Sequence, residues 1–136
     1  MNRDSMIRAV SAAAGAFIGF MYGELDGLFY ALIAMMSIDY ISGVLTAVLN
    51  KRLSSAVGFK GLVKKIFMLL LVAVGHIIDA YVIGSGAVVM GAVQLFFIAN
   101  EGISILENSA ALGLPVPQKL KSVLEQLKDD SEEGDE

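Results

Sequence analysis

Residues 28–49 read LFYALIAMMSIDYISGVLTAVL, twenty-two positions with a single charged side chain, Asp39. A helix rising about 1.5 Å per residue needs roughly 20 apolar residues to cross about 30 Å of hydrocarbon, so this stretch reads as a membrane span. Working outward, three further apolar stretches flank it at about 7–22, 66–83 and 87–106, the last extending toward Leu112. Only Gly23-Glu24-Leu25-Asp26-Gly27 separates the first two spans and only Gly84-Ser85-Gly86 the last two, which predicts two tight helical hairpins. The expected fold is an all-α integral membrane protein. It comprises a small bundle of four transmembrane helices within 1–112 and a short amphipathic cytoplasmic helix with an acidic tail within 113–136. The alternative has three spans, with the short, Ala- and Gly-rich first segment lying in the interface. That segment, with Arg3 before it and Arg8 at its start, also has the opening of a cleavable signal peptide, but Glu24 and Asp26 follow it without a clear small-x-small site.

Composition supports lipid as the solvent. With 56% hydrophobic residues and a mean hydropathy of +0.69, the chain lacks the polar surface a water-soluble domain of 136 residues needs. The absence of Cys excludes disulfides and thiolate metal sites, and His76 is the one histidine, so no metal or other cofactor is expected. The net charge of −4 is concentrated at one end, since six of the fourteen acids lie within 129–136, DDSEEGDE, a run too charged to be expected to fold.

The basic residues set the orientation. All ten fall into three groups: Arg3 and Arg8; Lys51, Arg52, Lys60, Lys64 and Lys65; and Lys119, Lys121 and Lys128. The middle group reads as a loop free of acids, which the positive-inside rule places in the cytoplasm. With four spans, both termini join it on that side. Past Gly113, Pro115 and Pro117 mark a helix stop and a new start, and Leu120, Val123, Leu124 and Leu127 then recur every three or four residues as an apolar stripe. That stripe suits packing on the spans or on a sister copy.

Two patterns inside the spans carry functional information. Ser11, Gly15, Gly19 and Gly23 stand four apart, a small-residue stripe that permits close helix approach, within the bundle or between copies. Asp39, near the middle of its span, costs at least about 2.5–3.5 kcal/mol if ionised in lipid and is followed at intervals of four by Gly43 and Ala47, a face to be turned toward protein. Its readings are a pore-lining or proton-sensing acid, or a protonated acid hydrogen-bonded across helices. His76 and Asp79, three apart, can pair on one face. Gln94, Asn100, Ser104, Glu107 and Asn108, with Glu101 at the edge, make the second half of the last span too polar to face lipid. With Lys65 assigned to the loop, Asp39, Asp79 and Glu101 are expected to lack basic partners and to be partly protonated or hydrated, with Asp39, Asp79, Glu101, His76 and Asn100 as pore-lining or gating candidates.

Two blocks, MMSIDYISGVLTAVLNKRLSSAVGFKGLVKKI from Met35 to Ile66 and NEGISILENSAALGLPVPQKLKSVLEQLK from Asn100 to Lys128, resemble the toxin-secretion and phage-lysis holins of Gram-positive phages and prophages. The likeness rests on an intramembrane Asp39-Tyr40 pair before Gly43, then the Leu53 to Gly61 segment and the Lys64-Lys65 pair. It implies a small protein without a catalytic site that accumulates in the bacterial cytoplasmic membrane and then assembles as a homo-oligomer into lesions. Those lesions release a cell-wall-degrading endolysin, or in some members a toxin. Family members are often described with three spans, one fewer than the four read here. Met1 and Met6 offer the two starts some holins use to make an inhibitor. Expected partners are membrane lipids, further copies of the chain and the released endolysin. Nucleic acid is not expected, because the basic run would lie against anionic headgroups. The rival classes are a small proton-coupled exporter built around Asp39, which would need a substrate pocket, and a membrane lipid kinase, which would need magnesium-holding carboxylates with basic groups at the phosphates. A purely structural membrane scaffold is a further possibility.

Overall fold

A computed structural model describes residues 1–133 and is all helical: α1 (Arg3–Tyr22), α2 (Gly27–Leu49), α3 (Ser55–Ile77) continuing as a π-helical turn (Ile78–Ile83), α4 (Val88–Ala111) and α5 (Gln118–Glu133). Four helical segments, Arg3–Tyr22, Gly27–Leu49, Ser55–Ile83 and Val88–Ala111, are long and apolar enough to cross a membrane. Local chemistry sets their starts. Asn2, Asp26 and Ser54 each accept a hydrogen bond from the backbone N–H three residues on, capping α1, α2 and α3. Gly23 and Gly84, both at positive φ, stop α1 and the π-helical turn.

The Ser54 cap corrects the expected loop. The connection between α2 and α3 is confined to 50–54, so Lys51 and Arg52 stay in it, while Lys60, Lys64 and Lys65 are helical residues of α3. The apolar run begins only at Ile66, but helix formation depends on backbone capping rather than on apolarity, and α3 starts eleven residues earlier.

The interior is thin. Leu32 and Met36 of α2, Val72 of α3 and Met90 of α4 form its centre, flanked by Tyr22, Phe29 and Phe97. Phe17, Phe59, Phe67, Tyr81 and Val88 lie exposed, an arrangement that suits lipid and not water. Close approach of α3 and α4 depends on Gly75, whose added Cβ would meet the Met90 Cα at 3.0 Å. Helix α1 packs on α3 near its C-terminal end, where Tyr22 donates to the Leu69 carbonyl at 3.0 Å and Phe20 stacks on Tyr81.

Helix α5 packs along α4. Leu124 seats against Gly102, Lys128 lies over the Phe96 ring, and Ser131 shares a cavity with Val89 and Val93. As numbers rise along α5 the partners' numbers fall along α4, so the two run antiparallel and the acidic end of α5 lies beside the first turns of α4. This corrects the expected solvated tail: residues 129–133 are helical, and residues 134–136 lie outside the described region. Of the expected apolar stripe, Leu124 is buried against α4 and Leu127 partly so, while Leu120 and Val123 stay about half exposed, and the helix carries the acids along. A Cβ on Gly102 would fall 2.8 Å from a Leu124 methyl. Gly102→Leu is therefore expected to destabilise this contact by about 1–3 kcal/mol through overpacking. Limited trypsin digestion in detergent should then cut after Lys121 and Lys128 several-fold faster than in the parent protein; equal rates would show that α5 is not held there.

Candidate functional site

Three ionisable side chains meet in the middle of the bundle because they sit at one depth. Asp39 lies ten residues before the end of α2 at Leu49, Lys65 ten residues after the start of α3 at Ser55, and Glu101 ten residues before the end of α4 at Ala111. At about 1.5 Å per residue each is roughly 15 Å from the loop end of its helix. There the Lys65 Nζ donates to Asp39 Oδ2 at 2.8 Å and to Glu101 Oε2 at 2.6 Å. The other Asp39 oxygen accepts from Asn108 Nδ2 at 3.2 Å, and the same amide donates to Ser42 Oγ at 2.9 Å. One lysine thus ties α2 to α4 through α3, and Asn108 adds a second tie between α2 and α4.

This arrangement corrects the expectation that the buried acids lack a basic partner. Two of the three share Lys65, which sequence reading had left in the loop. The signal that could have found it is Ser54: a helix begun there carries Lys65 to the depth of Asp39. Ionised, the cluster holds two negative charges and one positive, a net −1.

Above the cluster, toward the 50–54 loop, a cavity of about 700 Å³ opens between α2, α3 and α4. Asp39, Lys65 and Glu101 form part of its floor, and Lys60, Lys64 and Glu107 are among the side chains on its walls. Asn100, Ser104 and Asn108 also face it, and Gly43 lies 3.7 Å from Asn108 when given a Cβ, so the small-residue face carrying Asp39 is turned to protein. Tyr40 lies along α3 where Gly58 and Gly61 leave room, its hydroxyl 3.4 Å from where a Cβ on Gly58 would be.

The remaining expected residues fall elsewhere. Asp79 does not pair with His76. Its Oδ1 and Oδ2 accept from the backbone N–H groups of Val89 and Met90, at 3.0 and 2.8 Å, capping α4 across the hairpin. The start of a helix presents N–H groups that lack intrahelical acceptors, and a carboxylate on the preceding helix outcompetes an imidazole for that position. His76 instead lies against Gly23, whose added Cβ would come 2.7 Å from the His76 Cε1. Gly23 therefore belongs to a helix end at positive φ and not to a flat stripe with Ser11, Gly15 and Gly19. Gly15 and Gly19 have nothing within 4 Å of an added Cβ, and Ser11 is exposed. Gln94 is buried in the bundle with no acceptor for its Nε2 among the described residues.

The family model described as "Bacteriophage holin family" matches residues 16–129. The chain belongs to the bacteriophage holin family. Relatives include an uncharacterised protein of Listeria innocua, 44% identical over 122 residues, covering 90% of this chain and 85% of the relative. An uncharacterised 14.9 kDa protein in the nagH 3′ region of Clostridium perfringens is 36% identical over 113 residues, covering 83% and 86%. The uncharacterised protein YtkC of Bacillus subtilis is 34% identical over 128 residues, covering 94% and 95%. No solved structure matches. The family match spans α2, α3 and α4 in full, and so includes Asp39, Lys65 and Glu101 together with the cavity above them.

Proposed function

We propose that this chain is a holin that acts without a catalytic centre, assembling in the bacterial cytoplasmic membrane into lesions that release an endolysin, or a toxin, and so time host lysis. The observation that carries the reading, beside the family, is the polar interior. A lone bundle satisfies Asp39, Lys65 and Glu101 internally, yet the same groups can exchange these bonds for water once neighbouring copies hold the helices apart. Gln94 gains from the same exchange, since its amide donor has no acceptor among the described residues of the closed bundle.

Two surfaces suit assembly. The open side of α1 carrying Ser11, Gly15 and Gly19 offers close helix contact between copies. The outward face of α5, with Glu125, Asp129, Asp130 and Glu132, lies beside a span and is too charged for lipid, which suits a water-filled lumen. Under the positive-inside rule the basic residues favour a cytoplasmic N-terminus, 50–54 loop and start of α5. Residues 129–133, beside the first turns of α4, then lie toward the other end of that span, contrary to the expected cytoplasmic acidic end. Collapse of the membrane potential is the trigger of this reading: moving one net charge through 100 mV is worth about 2.3 kcal/mol, enough to bias a closed cluster against an open one.

The test is induced expression in a bacterial host with a co-expressed endolysin, following culture density, membrane potential and endolysin escape together, with an energy poison added early to half the cultures. The expected result is delayed, abrupt permeabilisation that the poison advances, with endolysin in the medium. Continued growth with an intact potential would overturn the holin reading and bring proton-coupled transport forward.

A further inference from the structure

The cavity above the ion cluster has chemistry that the cluster does not use. Lys60 and Lys64 lie four apart on one face of α3, both exposed at the rim of the cavity, a mildly unfavourable like-charge spacing that an anion between the two ammonium groups would relieve. Neither forms an ion pair with a described residue, whereas Lys65 forms two. Glu107 faces the same cavity from α4, again without a described ion-pair partner, and Asn100 lines it from the same face about two turns, roughly 10 Å, deeper. The walls therefore offer two cations and, across from them, groups that bind hydroxyl or ammonium donors.

Depth identifies what can reach this cavity. The helical run Ser55–Ile83 is 29 residues, about 43 Å, and exceeds the hydrocarbon by some 13 Å. The apolar end at Tyr81, Val82 and Ile83 favours lipid contact, so the overhang falls at the basic end. Lys60, five residues into the helix, then lies in the headgroup layer, and Lys64 lies at its inner edge, where a lysine stem can carry its ammonium outward. A volume of about 700 Å³ lies within the range of small-ligand sites.

We propose that this cavity is a binding site for a glycerol-bearing phosphodiester, supplied by the headgroup of an anionic phospholipid of the phosphatidylglycerol class. Lys60 and Lys64 hold the phosphate, and Glu107 and Asn100 accept and donate to the glycerol hydroxyls. The bound headgroup sits directly over Asp39, Lys65 and Glu101 and fills the space that water would otherwise enter, so lipid occupancy favours the closed cluster. The site stands on the cavity and its charges alone, so its test is independent of whether the chain forms lesions.

The purified full-length chain in a non-ionic detergent is presented with short-chain phosphatidylglycerol, short-chain phosphatidylcholine, glycerophosphate and inorganic phosphate, and retained adducts are counted by native mass spectrometry. Phosphatidylglycerol is expected to bind at least tenfold more tightly than phosphatidylcholine. The Lys60→Gln/Lys64→Gln protein should lose that preference, whereas Lys51→Gln/Arg52→Gln, which removes the same charge from the neighbouring loop, should keep it. Glu107→Gln should weaken phosphatidylglycerol several-fold through the lost hydroxyl acceptor, while inorganic phosphate, relieved of a neighbouring negative charge, should bind no more weakly than to the parent. Binding of glycerophosphate as tight as that of phosphatidylglycerol would keep the phosphodiester chemistry but assign the source to a soluble ester. Equal loss in the two double variants, or no preference over phosphatidylcholine in the parent, would overturn the site. Unchanged helicity of both double variants by circular dichroism ties any loss to the cavity and not to unfolding.

Discussion

Lys65→Met is expected to cost folding stability, at most the roughly 3–5 kcal/mol of removing one partner from a fully buried ion pair, and less to the extent that Lys65 and Asp39 keep 15% and 16% side-chain exposure. Here the loss falls on two acids at once, because Lys65 is the bonded cation of both Asp39 and Glu101. Without it the two carboxylates face each other across the gap between α2 and α4, and Asn108 can relieve only Asp39. The measurement is loss of helicity against the mole fraction of dodecyl sulfate in mixed micelles, where the midpoint should fall well below that of the parent. A triple variant, Asp39→Leu/Lys65→Met/Glu101→Leu, should regain most or all of the difference, since replacing a whole buried ion cluster with apolar side chains is often neutral or stabilising. If the single variant unfolds at the parent's midpoint, Lys65 does not hold the bundle. In cells the two variants separate stability from function. The single variant should permeabilise early, whereas the triple variant should be stably folded yet late or silent, because it has no charge to move and little to gain from water.

The four helices were legible because the feature that defines a span, a long apolar run, is one-dimensional. What lay between the runs was not. Lys60, Lys64 and Lys65 form part of a basic group, and charge alone assigns such a group to water, although a helix starting after the Ser54 cap turns Lys65 inward and carries it to the depth of Asp39 and Glu101. The three positions are 26 and 36 residues apart in sequence and become neighbours only when three helices align at their loop ends. Local spacing likewise suggested a pair between His76 and Asp79, but the competing acceptor need lay on the next helix, at Val89 and Met90. The acidic end of the chain was misread for the opposite reason. Its composition opposes folding, but residues 129–133 continue a helix anchored by Leu124 in the Gly102 notch, and Gln126 donates to Asp130 within it.

Asp79→Ala is the second large effect, with an expected cost of about 2–4 kcal/mol. Each bond from a backbone N–H to a carboxylate contributes roughly 1.5–3 kcal/mol when one partner is charged, and the donors left behind at Val89 and Met90 are deprived of any acceptor. The site has little access to water, since Asp79 is 1% exposed. The carboxylate also sits at the start of α4, where the helix dipole favours negative charge. It closes the hairpin between the π-helical turn and α4, beside the close contact of Gly75 with Met90, so its loss should loosen that end of the bundle and leave the Asp39, Lys65 and Glu101 cluster in place. Amide hydrogen exchange in micelles distinguishes these ends. Protection at Val89 and Met90 should fall at least tenfold in Asp79→Ala, with little change in α2 around Asp39. Asp79→Asn keeps an acceptor oxygen for one of the two N–H groups and should fall between the two. Uniform loss of protection along α2, α3 and α4 would mean that the bundle opens as one unit. Its two polar ties, one at the start of α4 and one near its middle, would then be a single cooperative lock.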